Sequence, residues 1–145
     1  MKCLIQRVKH ASVTIEGNLY SKIGHGILAF VGVEKGDTIE NAEKLADKVL
    51  KLRIFEDENG KMNRSISDIS GEILIVSQFT LCGDCQKGTR PSFDNSEKPD
   101  LALKLYEDFI NIVRKSGIGV QTGKFAAMMD VELINDGPVT FLLQK

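Results

Sequence analysis

The sequence predicts a single α+β domain in which a mostly antiparallel or mixed β-sheet carries two main helices. Three observations predict it. The N-terminal part consists of short runs that alternate apolar and polar residues, two later stretches repeat apolar residues at helical spacing, and strand-like runs return after each of them. A length of 145 residues suits one domain, spanning 1–145, with one core.

Residues Cys3–Val8, Ser12–Glu16 and Leu19–Ile23 read as strands, with Gly17-Asn18 as a tight hairpin turn. Ile27–Val33 is a more continuous apolar run between glycines, as a fully buried strand requires. Asp37 then reads as a helix cap, with Glu40 completing a capping box. Ala42, Leu45, Ala46, Val49 and Leu52 form the apolar face of that helix, and Glu40/Lys44 and Asp47/Lys51 pair on its wet side. Arg53–Glu56 reads as a strand and "DENG" as a turn, while Lys61–Gly71 is polar and ambiguous. Ile73–Leu81 is expected to be a central strand, followed by a long loop from Cys82 to Lys98. Loops of that length in small domains commonly carry function. Pro99 opens a second helix whose apolar face is Ala102, Leu105, Phe109, Ile112 and Val113. Arg114 and Lys115 suit its C-terminal end and Gly117 can stop it. Met129–Ile134 and Val139–Leu143 are the last strands, separated by "NDGP".

Composition narrows the function. Hydrophobic residues make up 42% and charged residues 27%, an ordinary globular balance. The aliphatic runs are too short to span a bilayer and the first residues lack a signal-peptide pattern, so a cytoplasmic protein without membrane partners is expected. Nineteen basic against 20 acidic side chains argue against a protein that coats long nucleic acid such as DNA, while leaving room for a local basic surface that holds one RNA end. Cys3, Cys82 and Cys85 are an odd number and speak against a disulfide framework.

The stretch "ILIVSQFTLCGDC", Ile73–Cys85, begins as a core strand and ends in polar groups. Strand alternation would put Gln78 and Thr80 on one face and Ser77, Phe79 and Leu81 on the other. No general base is evident: His25 lies between Gly24 and Gly26 at a turn, and His10 has no second group to orient it. A hydroxyl without a base is a poor nucleophile. Ser77, Gln78, Thr80 and strand-end backbone groups are suited instead to hydrogen-bonding a nucleoside, with Phe79 packing against it. Cys82 and Cys85 form a lone CxxC without the further ligands a zinc site needs, so no metal or other cofactor is expected. "NDGPVT", Asn135–Thr140, has the composition of a hairpin turn, yet its proline follows glycine directly before a strand. A Gly-Pro bond can be cis at about 0.5–1 kcal/mol, so a rigid backbone device for recognition is an open alternative.

Taken together, "SQFTL" at 77–81 and "NDGPVT" at 135–140 resemble the two signature motifs of the D-aminoacyl-tRNA deacylases. "IQRVKHASVTIEG" near the start, "KGTRPSF" at 87–93 and "GKFAAMMDVELINDGPVT" at the end are similar to further stretches of that family, in the same order. The resemblance implies a barrel-like sheet, a homodimer with sites at the subunit interface, and hydrolysis of the ester joining a D-amino acid to the terminal ribose of tRNA. Glycyl-tRNA would be a second substrate, because glycine offers no side chain to a chiral filter. Carried onto this chain, the resemblance makes Ser77, Gln78, Phe79, Thr80, Phe125 and Met129 the substrate pocket. Thr80 and Phe79 are expected to be the catalytic residues, acting mainly through their backbone amides. Gly137-Pro138 enters the partner's pocket and excludes L-amino acids, and Arg7 supports that pair. Two positions depart from the family pattern: Ala126 stands where glycine is usual, which forbids easy positive φ, and Met128 stands where an acid is usual.

The mechanism implied is RNA-assisted hydrolysis: backbone donors stabilise the oxyanion and the neighbouring ribose hydroxyl helps to position water. Two readings of other classes stand beside it. One is a non-catalytic module for the tRNA acceptor end, with Lys87, Arg90 and Lys124 on phosphates and Phe79 or Phe93 stacking a base. The other is a cysteine-based metal or redox protein.

Overall fold

β1 (Lys2–Ile15) is a long bent strand on which the rest of the sheet is organised. The computed structural model describes residues 1–145. β1 pairs antiparallel with β3 (Gly26–Gly32) through its first half and with β2 (Asn18–Ile23) through its second. Its other edge is covered from Lys2 to Thr14 by β8 (Asp130–Gln144). The sequence suggested two N-terminal strands where there is one. The ladder to β8 slips on either side of Val8, and such bulges bend a strand so that its halves can serve different neighbours.

β3 continues the sheet in parallel with β6 (Glu72–Ser77), and β6 in parallel with β7 (Gly119–Thr122). The order is β2-β1-β3-β6-β7. Ser21 Oγ of β2 donates to the Thr122 carbonyl of β7 at 2.9 Å, so the ends of the sheet meet and a nearly closed, mixed barrel results. β4 (Phe55–Glu56) and β5 (Met62–Arg64) form a separate small ribbon that gives structure to part of the ambiguous stretch.

The two helices are α1 (Ile39–Lys51) and α2 (Pro99–Arg114). Thr38, not Asp37, caps α1: its N–H donates to Asn41 Oδ1 at 2.8 Å. The Asp37 carboxylate is occupied one turn earlier, accepting the Glu34 N–H at 2.6 Å. On α2 the buried residues are Tyr106, Phe109, Ile110 and Val113, while Ala102, Leu105 and Ile112 pack partly buried beside them.

The core has two parts rather than one. Ile27, Ala29 and Val31 of β3 and Ile73 and Ile75 of β6 face the helices, joined by Leu45, Val49 and Phe109. The intervening Leu28, Leu74 and Val76 face the barrel interior with Val8, Ala11, Val13 and Ile23. Both faces of β3 and β6 are therefore buried, which is why these segments read as continuous apolar runs. The chain is a single α+β domain, and no helix is long and apolar enough to cross a membrane.

Candidate functional site

β6 ends at Ser77, earlier than alternation suggested. Gln78 N–H makes a last bond to the Val31 carbonyl at 2.7 Å, and the chain then winds into a 3-10 turn over Phe79–Cys82. Leu81 N–H returns to the Gln78 carbonyl at 3.3 Å, and Gly83 N–H to the Thr80 carbonyl at 3.1 Å. The expected strand faces for Gln78, Phe79, Thr80 and Leu81 are thus replaced by a turn. Gly32 makes this possible: a Cβ there would lie 2.9 Å from Cys82 Sγ and 3.0 Å from the Gln78 carbonyl, so only glycine lets the turn sit against the end of β3.

The turn changes what the motif presents. The first N–H groups of such a turn, those of Phe79 and Thr80, have no partner within it. Gln78 Nε2 donates to Thr80 Oγ1 at 2.5 Å, so the hydroxyl is fixed by an amide and not by a base. Phe79 is 55% exposed, and its ring meets that of Phe93 in an edge-type contact with ring centroids 5.0 Å apart. Phe93 belongs to the long loop, which an isolated bridge between Asp84 and Ser92 closes into a small hairpin.

A cavity of about 560 Å³ opens beside this turn. Its wall includes Ser77, Gln78, Phe79, Phe125 and Met129, so five of the six residues expected to form the pocket meet there; Thr80 stands just outside the lining. Sequence reading missed the aliphatic floor, Val31, Val33, Val76 and Val131, and the rim residues Ser96, Glu97 and Ala102. Glu97 is the single ionisable side chain of the wall, and its Oε1 already accepts the Lys98 N–H at 2.7 Å. Nothing in the strand or helix patterns marks it, because it lies in the loop. Ala126 and Met128 also line the cavity; Ala126 adopts φ 58° despite its Cβ, and Met128 is 92% exposed at the mouth.

"NDGPVT" does not turn between two strands. β8 runs through it as one strand, and the segment is an extended bulge: Asn135 lies opposite Val8 and Thr140 opposite Gln6, so four residues face Arg7 alone. Asn135 ties the bulge together, its Oδ1 accepting the Val139 N–H at 2.7 Å and its Nδ2 donating to Gln6 Oε1 at 2.9 Å. The Gly137-Pro138 bond is cis and Gly137 has φ 144°. Arg7, nearly buried, lies beneath: Nε donates to the Asp136 carbonyl at 2.8 Å and Nη1 to the Ile54 carbonyl at 2.7 Å. His25 Nε2 stands 3.7 Å from Asp136 Oδ2, and its ring meets Phe55 edge-on at 5.3 Å. Gly137 and Pro138 are absent from the lining of the 560 Å³ cavity. Within one chain the two motifs occupy separate places.

The thiols are free and unlike one another. Cys3 is buried among aliphatic residues, which pushes its thiol up to about 12. Cys82 is buried with Sγ 3.5 Å from the Val33 carbonyl, and burial together with the nearby Glu34 raises it, while Cys85 is exposed. No three His, Cys, Asp or Glu side chains are grouped to hold a metal ion.

Comparison with known proteins agrees across the chain. A family model described as D-Tyr-tRNA(Tyr) deacylase matches residues 4–144. A D-aminoacyl-tRNA deacylase of Geobacillus sp. (strain WCH70) is 56% identical over 145 residues, covering 100% of this chain and 95% of that protein. Among solved structures, one described as "c-Myc DNA Unwinding Element Binding Protein" superposes with a TM-score of 0.95 at 42% identity, covering 100% of this chain and 99% of that one. A second, "Structural Analysis of a probable eukaryotic D-amino acid tRNA deacylase", has a TM-score of 0.84 over 99% of this chain and 98% of its own; at 18% identity it speaks for the fold alone.

Proposed function

We propose that this chain, which belongs to the D-Tyr-tRNA(Tyr) deacylase family, uses the cavity beside the 3-10 turn to hydrolyse the ester bond of D-aminoacyl-tRNA, releasing free tRNA and the D-amino acid. The observation that carries the site assignment is the meeting of Ser77, Gln78, Phe79, Phe125 and Met129 around one cavity whose wall holds a single ionisable group. An ester with a ribose hydroxyl as leaving group has a modest intrinsic barrier. Orientation and oxyanion stabilisation can then supply much of the acceleration without a side-chain base.

In this reading the terminal adenosine lies against Phe79 and hydrogen-bonds Ser77 and Gln78, and the aminoacyl group points along the aliphatic floor. The free N–H groups of Phe79 and Thr80 face the carbonyl oxygen as negative charge develops on it. The neighbouring ribose hydroxyl of the substrate positions the attacking water, so the RNA supplies part of its own catalysis. The Thr80 hydroxyl, engaged by Gln78, orients the turn and does not form an acyl-enzyme.

Chirality is set from a second copy of the chain. The segment bearing Gly137-Pro138, held by Arg7 and Asn135, enters the partner's cavity and fills the space that an L side chain would need. A D side chain points away from it, and glycine, with none, passes as well. The chain therefore works as a homodimer on the aminoacylated 3′ end of tRNA.

The test compares release of matched D- and L-aminoacyl groups, and glycine, from one tRNA. Fast release of the D form and glycine, with L retained, is expected, and Thr80→Ala should keep substantial turnover. Equal rates for D and L would sink the chiral filter. Complete loss in a folded Thr80→Ala protein would replace backbone catalysis by a Thr80 nucleophile.

A further inference from the structure

The substrate cavity is not the only opening at Phe125. A second cavity of about 370 Å³ lies between α2 and β7 and shares Phe125 with the first as a common wall. Its character differs: Tyr20, Glu107, Asn111, Arg114, Thr122 and Lys124 contribute to its lining. Arg114 and Lys124 take part in none of the ion pairs, which engage Lys2, Arg7, His25, Lys44, Lys51 and the N-terminal amine. Glu107 is the only acid of the lining, so the cleft keeps a net positive charge. Tyr20 is 50% exposed, whereas Tyr106 at the floor is fixed, its hydroxyl donating to the Ile75 carbonyl at 2.8 Å. Unpaired cations beside an accessible aromatic face are what a single RNA strand requires, phosphates going to the charges and a base to the ring.

We infer that this second cleft receives the single-stranded RNA immediately preceding the terminal nucleotide. Arg114 and Lys124 hold its phosphates and Tyr20 stacks a base. The inference rests on the assignment of the first cavity to the terminal aminoacyl-adenosine, since Phe125 then divides that nucleotide from those before it. The protein is nearly neutral overall, so a concentrated pair of free cations next to the substrate cavity gives it a grip on RNA without a general affinity for polyanions.

The test uses the charge-reversed double variant Arg114→Glu with Lys124→Glu and two probes, uncharged tRNA for binding and D-aminoacyl-adenosine for hydrolysis. Affinity for uncharged tRNA should fall about tenfold or more at 0.1 M salt. Its logarithmic salt dependence should become shallower by about 1.4, for two single-strand phosphate contacts. Hydrolysis of D-aminoacyl-adenosine, which fills only the first cavity, should stay within twofold of the unmodified protein. The same charge change on α1, Lys44→Glu with Lys48→Glu, should leave tRNA affinity within twofold. An unchanged affinity and salt slope in the first variant would overturn the inference, as would an equal loss from the α1 control or a parallel loss on the adenosine substrate. Failure of the unmodified protein to hydrolyse D-aminoacyl-adenosine or D-aminoacyl-tRNA would instead overturn the assignment of the first cavity. Loss of tRNA binding confined to the first variant would still support the cleft.

Discussion

Ala126 shows how a single residue at the site departs from what its side chain prefers. The sequence suggested that replacing the usual glycine would bar positive φ, yet the backbone there is at φ 58°. The surrounding wall, with Phe125 on one side and Met129 on the other, fixes the path of the chain more strongly than the Cβ opposes it. Left-handed conformation in a non-glycine residue costs about 1–3 kcal/mol, and the greater freedom of unfolded glycine returns about 0.4–1 kcal/mol of any relief. Ala126→Gly should therefore stabilise the protein by up to about 2.5 kcal/mol, read as a rise in denaturant midpoint at unchanged slope; a fall would show that the site is unstrained. Glu97 poses the opposite question, being ionisable and in the wall but invisible in the sequence pattern. If the substrate's own hydroxyl assists water, Glu97→Gln keeps kcat within about threefold, whereas removal of a true general base would cost about 10²–10⁴. Single-turnover release from D-aminoacyl-tRNA distinguishes the two.

Among the elements, β6 and β8 carry the motifs, and both were legible in type but not in extent. Apolar runs identify β3 and β6 because both faces are covered, whereas the end of β6 depends on Gly32 opening room for the 3-10 turn, a contact between distant segments. Likewise, "NDGPVT" has turn composition, and only the pairing of β8 with β1 on both sides of it converts a turn into a bulge. β7, four residues long with polar members, gave no periodic signal; it exists because β6 offers it an edge. Five pocket residues could be named in advance through the resemblance, while the aliphatic floor and Glu97 come from strands and a loop that meet only in the fold. The loops flanking β5 are fixed differently, by carboxylates. Asp57 accepts the Lys61 N–H at 3.0 Å and Asn63 Nδ2 at 2.7 Å, and Asp68 accepts the Ser65 N–H at 2.8 Å and Oγ at 2.7 Å. These bonds hold both carboxyls below the usual value of 3.8. A depressed folded value stabilises the fold above the unfolded one and loses that contribution as pH falls through the folded one. The denaturant midpoint should drop as pH falls from about 5 toward 2, and Asp57→Asn with Asp68→Asn should flatten that drop. An unchanged slope would remove these turns from the acid response.

At the scale of the whole molecule, the separation of the two motifs is the decisive feature. β8 is paired to β1 along one edge only, and Ile134, Phe141 and Leu142 lie exposed along it, Leu142 opposite Leu4 of β1. A long unpaired edge with apolar side chains is a surface that a second copy can cover. The same strand carries Gly137-Pro138, so in the proposed homodimer the subunit contact and the proposed chiral filter would be parts of one structure. Leu142→Glu should give a folded monomer by sedimentation, at least tenfold slower on D-aminoacyl-tRNA and no longer selective against L. A sharper test separates a filter supplied by the partner from one supplied by the same chain. Gly137→Ala spoils the filter, since a Cβ there would lie 2.7 Å from Val139 Cγ2 at φ 144°, and Phe79→Ala spoils the pocket. Each homodimer of either variant has two defective sites. When the two are mixed and allowed to exchange, half the dimers are hybrid. If the partner supplies the filter, each hybrid combines both defects in one site and leaves the other intact, so about a quarter of wild-type selective activity should return. If each chain filters its own pocket, no site in any hybrid is whole, and mixing should restore nothing.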